Sequence, residues 1–228
     1  VTRLLLLLLA GAPAIGAAQG PIASTALRFG IAYATATPTG TFGDVIAPPS
    51  GFATWAALPV SRSSPLGIRG EFSILTIPEE RANTVLTPGI DLNVTVRSTI
   101  GFTGVGPRLE TRLGPLVLAG AAMGGVSRFI LDVNGRLTAG PQVSSVAISQ
   151  SEQAVAAKGV IDLYLPFYFG RQDAAIGLTA GLDWLTSSRI TAVRSGSFRL
   201  VDGERVVLED QETPITMWGW RVGVGLFF

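Results

Sequence analysis

WGWRVGVGLFF, residues 218–228, alternates bulky apolar side chains with glycine almost to its end. In an extended strand successive side chains point to opposite faces. Trp218, Trp220, Val222, Val224, Leu226 and Phe228 therefore share one side, and Gly219, Arg221, Gly223, Gly225 and Phe227 the other. A water-soluble barrel would turn the bulky face inward and leave glycines and an arginine to cover its outside. A membrane barrel turns that face to lipid and lines a narrow interior with glycine and arginine. The residues fit the second arrangement.

The same period of two recurs upstream. ALRFGIAYAT (26–35) sets Leu27, Phe29, Ile31 and Tyr33 against Arg28, Gly30, Ala32 and Ala34. LGIRGEFSIL (66–75) sets Leu66, Ile68, Phe72 and Ile74 against Arg69, Glu71 and Ser73. KGVIDLYLPFYF (158–169) sets Ile161, Leu163, Leu165, Phe167 and Phe169 against Lys158, Val160, Asp162, Tyr164 and Tyr168. AAIGLTAGLDWL (174–185) sets Ile176, Leu178, Leu182 and Trp184 against Gly177, Thr179, Gly181 and Asp183. With GFATWAALPVSR (51–62), Leu92–Thr111 and LVLAGAAMGGVSRFILDV (116–133), eight strands are predicted. The pattern leaves the register of 51–62 and 115–131 open, because small residues occupy both faces there. Gly104–Pro107 reads as a bulge or kink in the fourth strand.

The predicted connections alternate long and short. Long ones run over 38–51, over the polar stretch 78–89, from a type I′ signal at Asn134-Gly135 to about Gln153, and through a hairpin turning at Asp202-Gly203. Short ones fall at Pro65, Leu113-Gly114-Pro115 and GRQD (170–173). Long loops on one side, short turns on the other and an even strand count are the pattern of outer-membrane barrels.

At the N-terminus, Arg3 precedes an apolar block and the small residues Gly16-Ala17-Ala18. This reads as a signal peptide over 1–18, with one barrel domain over 19–228. Elsewhere no run of about 20 apolar residues suggests a membrane-spanning helix. With 47% hydrophobic residues and a mean hydropathy of +0.45, the chain is not disordered, and its apolar residues are dispersed in short segments. A net charge of +1 without a basic run gives no footprint for nucleic acid.

The leader, the alternating strands, PTGTF (38–42) after the first strand and the closing WRVGVGLFF together resemble the small bacterial outer-membrane β-barrel family, of the OmpA-transmembrane-domain and OmpX type. The resemblance spans the mature chain as an architectural pattern. It implies an all-β, eight-stranded antiparallel up-and-down transmembrane barrel, exported through a cleaved signal peptide into the bacterial outer membrane. It also implies outer-membrane lipid and the barrel-assembly machinery as partners. The alternating residues Trp218, Trp220, Val222, Val224, Leu226 and Phe228 look like the C-terminal signal which that machinery reads. A peptidoglycan-binding domain has no counterpart in these residues, so no cell-wall tether is expected.

Applied strand by strand, the alternation places Arg28, Arg69, Glu71, Arg97, Lys158, Asp162, Asp183 and Arg221 in the lumen. Crowded inside an eight-stranded barrel, these groups should form a paired ladder that stiffens the interior or gates a narrow pore. Catalysis is argued against by composition. The chain has no histidine and no cysteine, which removes a Ser-His-Asp triad, a histidine base and the usual zinc ligands. Glu79-Glu80 and Glu209-Asp210 read as solvated loop pairs, DGERVVLED (202–210) lacks calcium-loop spacing, and the glycines of GVGVG lie within a strand. No cofactor is expected. Trp184, Tyr168 and Trp218 read as membrane-interface aromatics. The expected role is non-enzymatic: structural, or interaction with an extracellular ligand through the long loops, especially 195–212. Two alternatives remain, a narrow channel or transporter for small or apolar solutes and a soluble periplasmic lipocalin-like barrel.

Overall fold

The computed structural model describes residues 27–61, 64–168, 175–193, 199–201, 205–207 and 210–227. The leader, the GRQD turn, the Asp202-Gly203 turn and Phe228 lie outside the described residues.

Eight strands close a ring through antiparallel hydrogen bonds: β1 (Arg28–Pro38), β2 (Ser50–Pro59), β3 (Leu66–Thr76), β5 (Ile90–Leu113), β6 (Leu116–Ala139), β7 (Gln142–Tyr168), β8 (Ala175–Val193) and β11 (Asp210–Phe227). Each pairs with the next, β3 pairs with β5, and β11 returns to β1, so the ring has no free edge. Closure satisfies backbone N–H and C=O groups within the wall itself, the condition for strands to cross hydrocarbon. At one end Arg28 faces Phe227, Val60 N–H donates to the Leu66 carbonyl at 2.9 Å, and residues 114–115 make a short connection. The long connections gather at the other end, among them a helical turn α1 (Gly40–Gly43) and the short paired strands β9 (Arg199–Val201) and β10 (Arg205–Val207).

The wall is inside out relative to a soluble protein. Trp218, Trp220, Val222, Val224 and Leu226 are exposed along β11, while Arg221 between them is 1% exposed. Phe29, Ile31 and Tyr33 on β1, Leu66, Ile68, Phe72 and Ile74 on β3, Ile161, Leu163 and Phe167 on β7, and Ile176, Leu178 and Leu182 on β8 are exposed in the same way. The stretch from Trp218 to Leu226 matches the about 9–11 residues that a tilted strand needs to cross a bilayer. Near its long-connection end lie the outward aromatics: Trp184 is 6.2 Å from Trp218, and Tyr33 is 5.9 Å from Phe52 and 6.5 Å from Trp220. The side chain of Tyr168 is outside the described set. A lipocalin-like barrel would hold these bulky faces as its core, so the soluble alternative does not survive.

Three sequence expectations are corrected. Residues 78–89 are not a loop: Glu80–Thr87 form strand β4, paired with the outer half of β5 and turned by Gly89 at φ 86°. Asn134-Gly135 is not a turn: both residues stay in β6, opposite Ala147 and Val146, and the chain reverses at Gly140, φ 57°, followed by Pro141. The later turn lets residues 135–139 pair with 142–146, a gain in ladder that a local turn signal does not register. Gly104–Pro107 is not a bulge: β5 keeps one register to β6 on both sides of Gly106 and Pro107. Pro107 has no N–H to give, and a Cβ on Gly106 would run into the Ala122 carbonyl, so close strand approach is the local requirement.

An arginine introduced at Leu178, on the apolar outer wall, should destabilise the barrel by about 2–4 kcal/mol. The same change at Ser149, outward on the projecting part of β7, should stay within about 0.5 kcal/mol. Urea unfolding in lipid vesicles, followed by gel mobility without boiling, measures both; equal penalties would mean that the apolar band is misplaced.

Candidate functional site

The inward positions of the wall converge on a charge cluster. Asp162 of β7 is its hub: it accepts from Arg221 Nε at 2.8 Å and Nη2 at 2.7 Å, from Arg69 Nη1 at 2.5 Å and from the Tyr164 hydroxyl at 2.8 Å. Glu71 of β3 takes Arg69 Nη2 at 2.6 Å and Arg221 Nη1 at 2.8 Å on one oxygen, and Lys158 Nζ at 2.7 Å on the other. Lys158 also reaches Asp183 at 2.9 Å. The paired Arg221–Asp162 contacts are the fork geometry in which guanidinium and carboxylate bind most strongly.

Nearer the short-connection end, Arg28 pairs with Glu110, which also takes Arg108 Nη2 at 2.9 Å. Between the two groups stand Trp55 and Tyr164, ring centroids 5.4 Å apart and edge to face. Arg69 lies over Trp55 at 4.8 Å, and Arg108 over Tyr164 at 5.6 Å, so aromatic faces hold part of the cationic charge.

Inward glycines make room for these side chains. A Cβ on Gly181 would collide with Asp162, one on Gly219 with Asp183, and one on Gly30 with the Trp55 ring. The glycines on β1, β8 and β11 are therefore the complement of long side chains carried by the neighbouring strands.

The other half of the lumen is apolar. Ile100, Phe102, Met123, Phe129, Leu131, Leu185, Ile190, Ile215 and Met217 point inward there and are buried together. Residues 39–49 fold into the same space, with Phe42, Val45 and Ile46 almost wholly covered. Lys158 marks the border, its ammonium 5.5 Å from the Phe102 ring. Each fully buried Val, Ile or Phe contributes about 1.5–3 kcal/mol relative to an exposed one.

Of the eight lumen charges expected, Arg69, Glu71, Lys158, Asp162, Asp183 and Arg221 meet in one cluster, and Arg28 points into the lumen in the separate group with Glu110 and Arg108. Arg97 is not among them. Inward residues on β5 are even-numbered (Ser98, Ile100, Phe102, Arg108, Glu110), so Arg97 faces outward on the projecting part and pairs with Glu79 at 2.9 Å. Sequence reading missed Arg108, Glu110 and Trp55. The first two lie on the even phase of β5, which bulky Ile100 and Phe102 make look like a lipid face although both point into the lumen. The apolar chamber and its plug were missed because 38–51 reads only as a Pro/Gly connection.

Outside the wall, Glu79 accepts from Arg81 Nε at 2.6 Å and from Arg97 Nη2. The bond from Arg81, then that from Arg97, holds its carboxyl below the ordinary value of 4.5. A polar hollow of about 380 Å³ beside it is lined by Thr95, Arg97, Asp132, Asn134, Ala147, Ile148 and Ser149. Among the described residues no group of His, Cys, Asp and Glu side chains gathers as a metal site.

No protein-family model and no curated protein sequence matches the chain. Among solved structures it is similar to Ail, the attachment invasion locus protein of Yersinia pestis, in complex with the heparin analogue sucrose octasulfate, at 12% identity and a TM-score of 0.48 over 90% of this chain and 99% of that one. It is similar also to Neisserial surface protein A, at 10% identity and 0.40 over 91% and 97%, and to a major outer membrane protein from Thermus thermophilus, at 12% and 0.36 over 89% and 99%. These neighbours are small outer-membrane β-barrel proteins. The likeness carries no residue role across.

Asp162→Ala leaves two buried guanidinium groups without their shared carboxylate and should cost about 3–5 kcal/mol. Asp162→Asn, which keeps part of the hydrogen bonding, should cost less; unfolding midpoints that match the parent for both would show that the cluster is not a stabilising unit. The depressed Glu79 value has a definite sign. Its contribution is complete above pH 4.5 and is lost as pH falls through the lower value of the folded state. Protection of the β4 amides, taken relative to their intrinsic exchange rate at each pH, should therefore weaken below pH 4.5 as pH falls, with Glu79→Gln removing that pH dependence.

Proposed function

We propose that the chain is a non-enzymatic integral protein of the bacterial outer membrane that presents a projecting β-sheet for surface interaction. In this reading residues 1–18 are a cleaved export signal. The terminal strand through Phe228 is the signal read by the barrel-assembly machinery, and the long-connection end faces outward from the cell. The buried charge cluster is structural, tying the wall together from within. The absence of histidine and cysteine supports a role without catalysis.

One observation carries the interaction role. β7 pairs with β6 along its length, from Gln142 to Tyr164, but with β8 only from Ala156 to Tyr168. Beyond the ring, β4, β5, β6 and β7 continue as an open sheet, and among the described residues no strand covers the second edge of 142–155. That edge reads QVSSVAISQSEQAV, with Glu152 its single charge and Val143, Val146 and Ile148 exposed. Long edges without charge or proline invite pairing by another extended chain, and sheets bind peptides in this way. The fitting partner is an extended polypeptide segment on another surface. Against the channel alternative stand the packed cluster and the plugged upper lumen.

Three measurements test the proposal. Membrane fractionation with gel mobility before and after boiling should find a heat-modifiable barrel in the outer membrane, and a soluble product would end the reading. In planar bilayers the parent should conduct little, and Glu71→Ala should raise conductance. A reduced, carboxymethylated polypeptide should bind the parent about tenfold more tightly than a Val146→Lys, Ile148→Lys variant, a difference of about 1.4 kcal/mol. Equal binding would remove the edge from the proposal.

A further inference from the structure

The described lumen has two solvents. Its charged half is closed on itself, while the half beneath the long connections is lined by Ile100, Phe102, Phe129, Leu131, Leu185 and Met217. A barrel that needed only a rigid interior could continue its ladder of ion pairs upward. Instead this chamber is filled by a piece of the chain that is not part of the wall. Phe42, Val45 and Ile46 occupy it as a small apolar molecule would.

The way this segment is held sets it apart from the wall. Part of its hydrogen bonding is internal: Gly43 N–H donates to the Thr39 carbonyl, and the N–H groups of Val45 and Ile46 donate to the Phe42 carbonyl. Its ties to the barrel include Thr39 N–H to the Thr216 carbonyl at 2.8 Å, the Thr39 hydroxyl to the same carbonyl at 3.3 Å, the Thr41 and Thr213 hydroxyls at 2.7 Å, and Ala36 N–H to the Pro49 carbonyl at 3.0 Å. Because the turn keeps its internal bonds when it moves as a unit, its departure costs chiefly the ties to Thr216, Thr213 and Ala36. Pro38 and Gly40, at φ 60°, flank one end, and Pro48-Pro49 the other.

We propose that this half of the lumen is a binding chamber for one alkyl chain, and that residues 39–49 are its resident substitute, displaced when the ligand enters from the long-connection end. The ligand chemistry follows from the walls, which offer branched aliphatic, thioether and aromatic surface. The Lys158 ammonium lies at the floor, 5.5 Å from Phe102, and is already engaged by Glu71 and Asp183. A saturated chain lying with its tail toward that floor and its polar head at the rim leaves the ion pairs intact. Entry therefore gives binding without passage, because the cluster beneath remains packed. The apparent affinity is reduced by the fraction of time that the segment spends inside, so holding or loosening the segment should change it.

The chain has no cysteine, and the 2.7 Å between the Thr41 and Thr213 hydroxyls places a bridge where it would lock the segment. The experiment uses the full chain in lipid nanodiscs with diazirine-bearing dodecanoic acid, or with a phospholipid carrying the diazirine on one tail. Crosslinks are mapped by peptide mass spectrometry. In the parent, labels should reach inward residues such as Phe129 and Leu185 as well as the outer wall. Oxidised Thr41→Cys, Thr213→Cys protein should lose about tenfold or more of the inward label, and reduction should restore it. Phe42→Ala, Ile46→Ala protein, its fold checked by heat-modifiable mobility, should gain inward label and serves if the bridged variant fails to fold. Inward labelling by the free acid alone identifies a fatty acid as the source, and labelling by the phospholipid identifies a bilayer tail. Labels confined to Ile31, Leu178 and their outward neighbours in every variant, or inward labels indifferent to the bridge, would overturn the proposal.

Discussion

Asp162 holds two guanidinium groups from strands that are not its neighbours, and the barrel depends on that crossing. Arg69 comes from β3 and Arg221 from β11, while Asp162 stands on β7; Glu71, Lys158 and Asp183 extend the links to β8. Hydrogen bonding in the wall joins each strand only to the next. The cluster instead joins strands across the lumen, where shape and register must agree at once. A slip by one residue would turn Arg221 to the outer wall and Trp220 inward. In hydrocarbon the first costs several kilocalories per mole and leaves Asp162 and Glu71 short of partners. The cluster thus makes one register far better than its neighbours, whatever the net value of each buried pair.

The staggered ends of the ring follow from strand lengths that exceed what crossing requires. β5, β6 and β7 run well past the apolar band, and their outward faces change character with height. Val126 on β6 is exposed and apolar, whereas Arg128, Asp132 and Asn134 follow on the same side. That change marks where hydrocarbon ends and water begins. Above it the wall no longer needs closure to satisfy its backbone, because water can do so. The ring opens at β7, where pairing with β8 stops at Ala156 opposite Ser187.

The parts of this architecture visible in the sequence are those in which the two faces differ sharply. β1, β3, β7, β8 and β11 each set bulky residues against charged, small or polar ones, and their phase is read without ambiguity. Arg28, Arg69, Glu71, Lys158, Asp162, Asp183 and Arg221 follow from that phase alone. Local turn chemistry is a weaker guide, because the choice among turns is made by pairing far along the chain. Asn134-Gly135 has the right residues for a tight turn, yet Gly140-Pro141 turns the chain and gains the longer ladder. Polarity misleads at 78–89 for a related reason: a strand above the membrane has no lipid face to betray it. Arg97 belongs to the same class, outward on β5 at a height where an outward cation is solvated.

The apolar chamber explains why β6 resists a periodic reading. β6 borders lipid outside, and inside it sends Met123, Phe129 and Leu131 into the chamber and Val117 and Ala119 against Trp55 and Tyr164, while Leu116, Leu118, Val126 and Ile130 point outward. Both faces call for apolar or small residues, and the contrast on which a period of two depends disappears. The high mean hydropathy has the same origin, since this barrel supplies apolar surface to a membrane and to half of its own interior. Residues 39–49 complete that interior from outside the wall. Phe42 lies in a stretch with no strand period, flanked by glycine and proline, and nothing local distinguishes a side chain that fills a lumen from one on a solvated loop. Its place is set by the space that β5, β6, β8 and β11 leave between them, a property of the closed ring and of no segment within it.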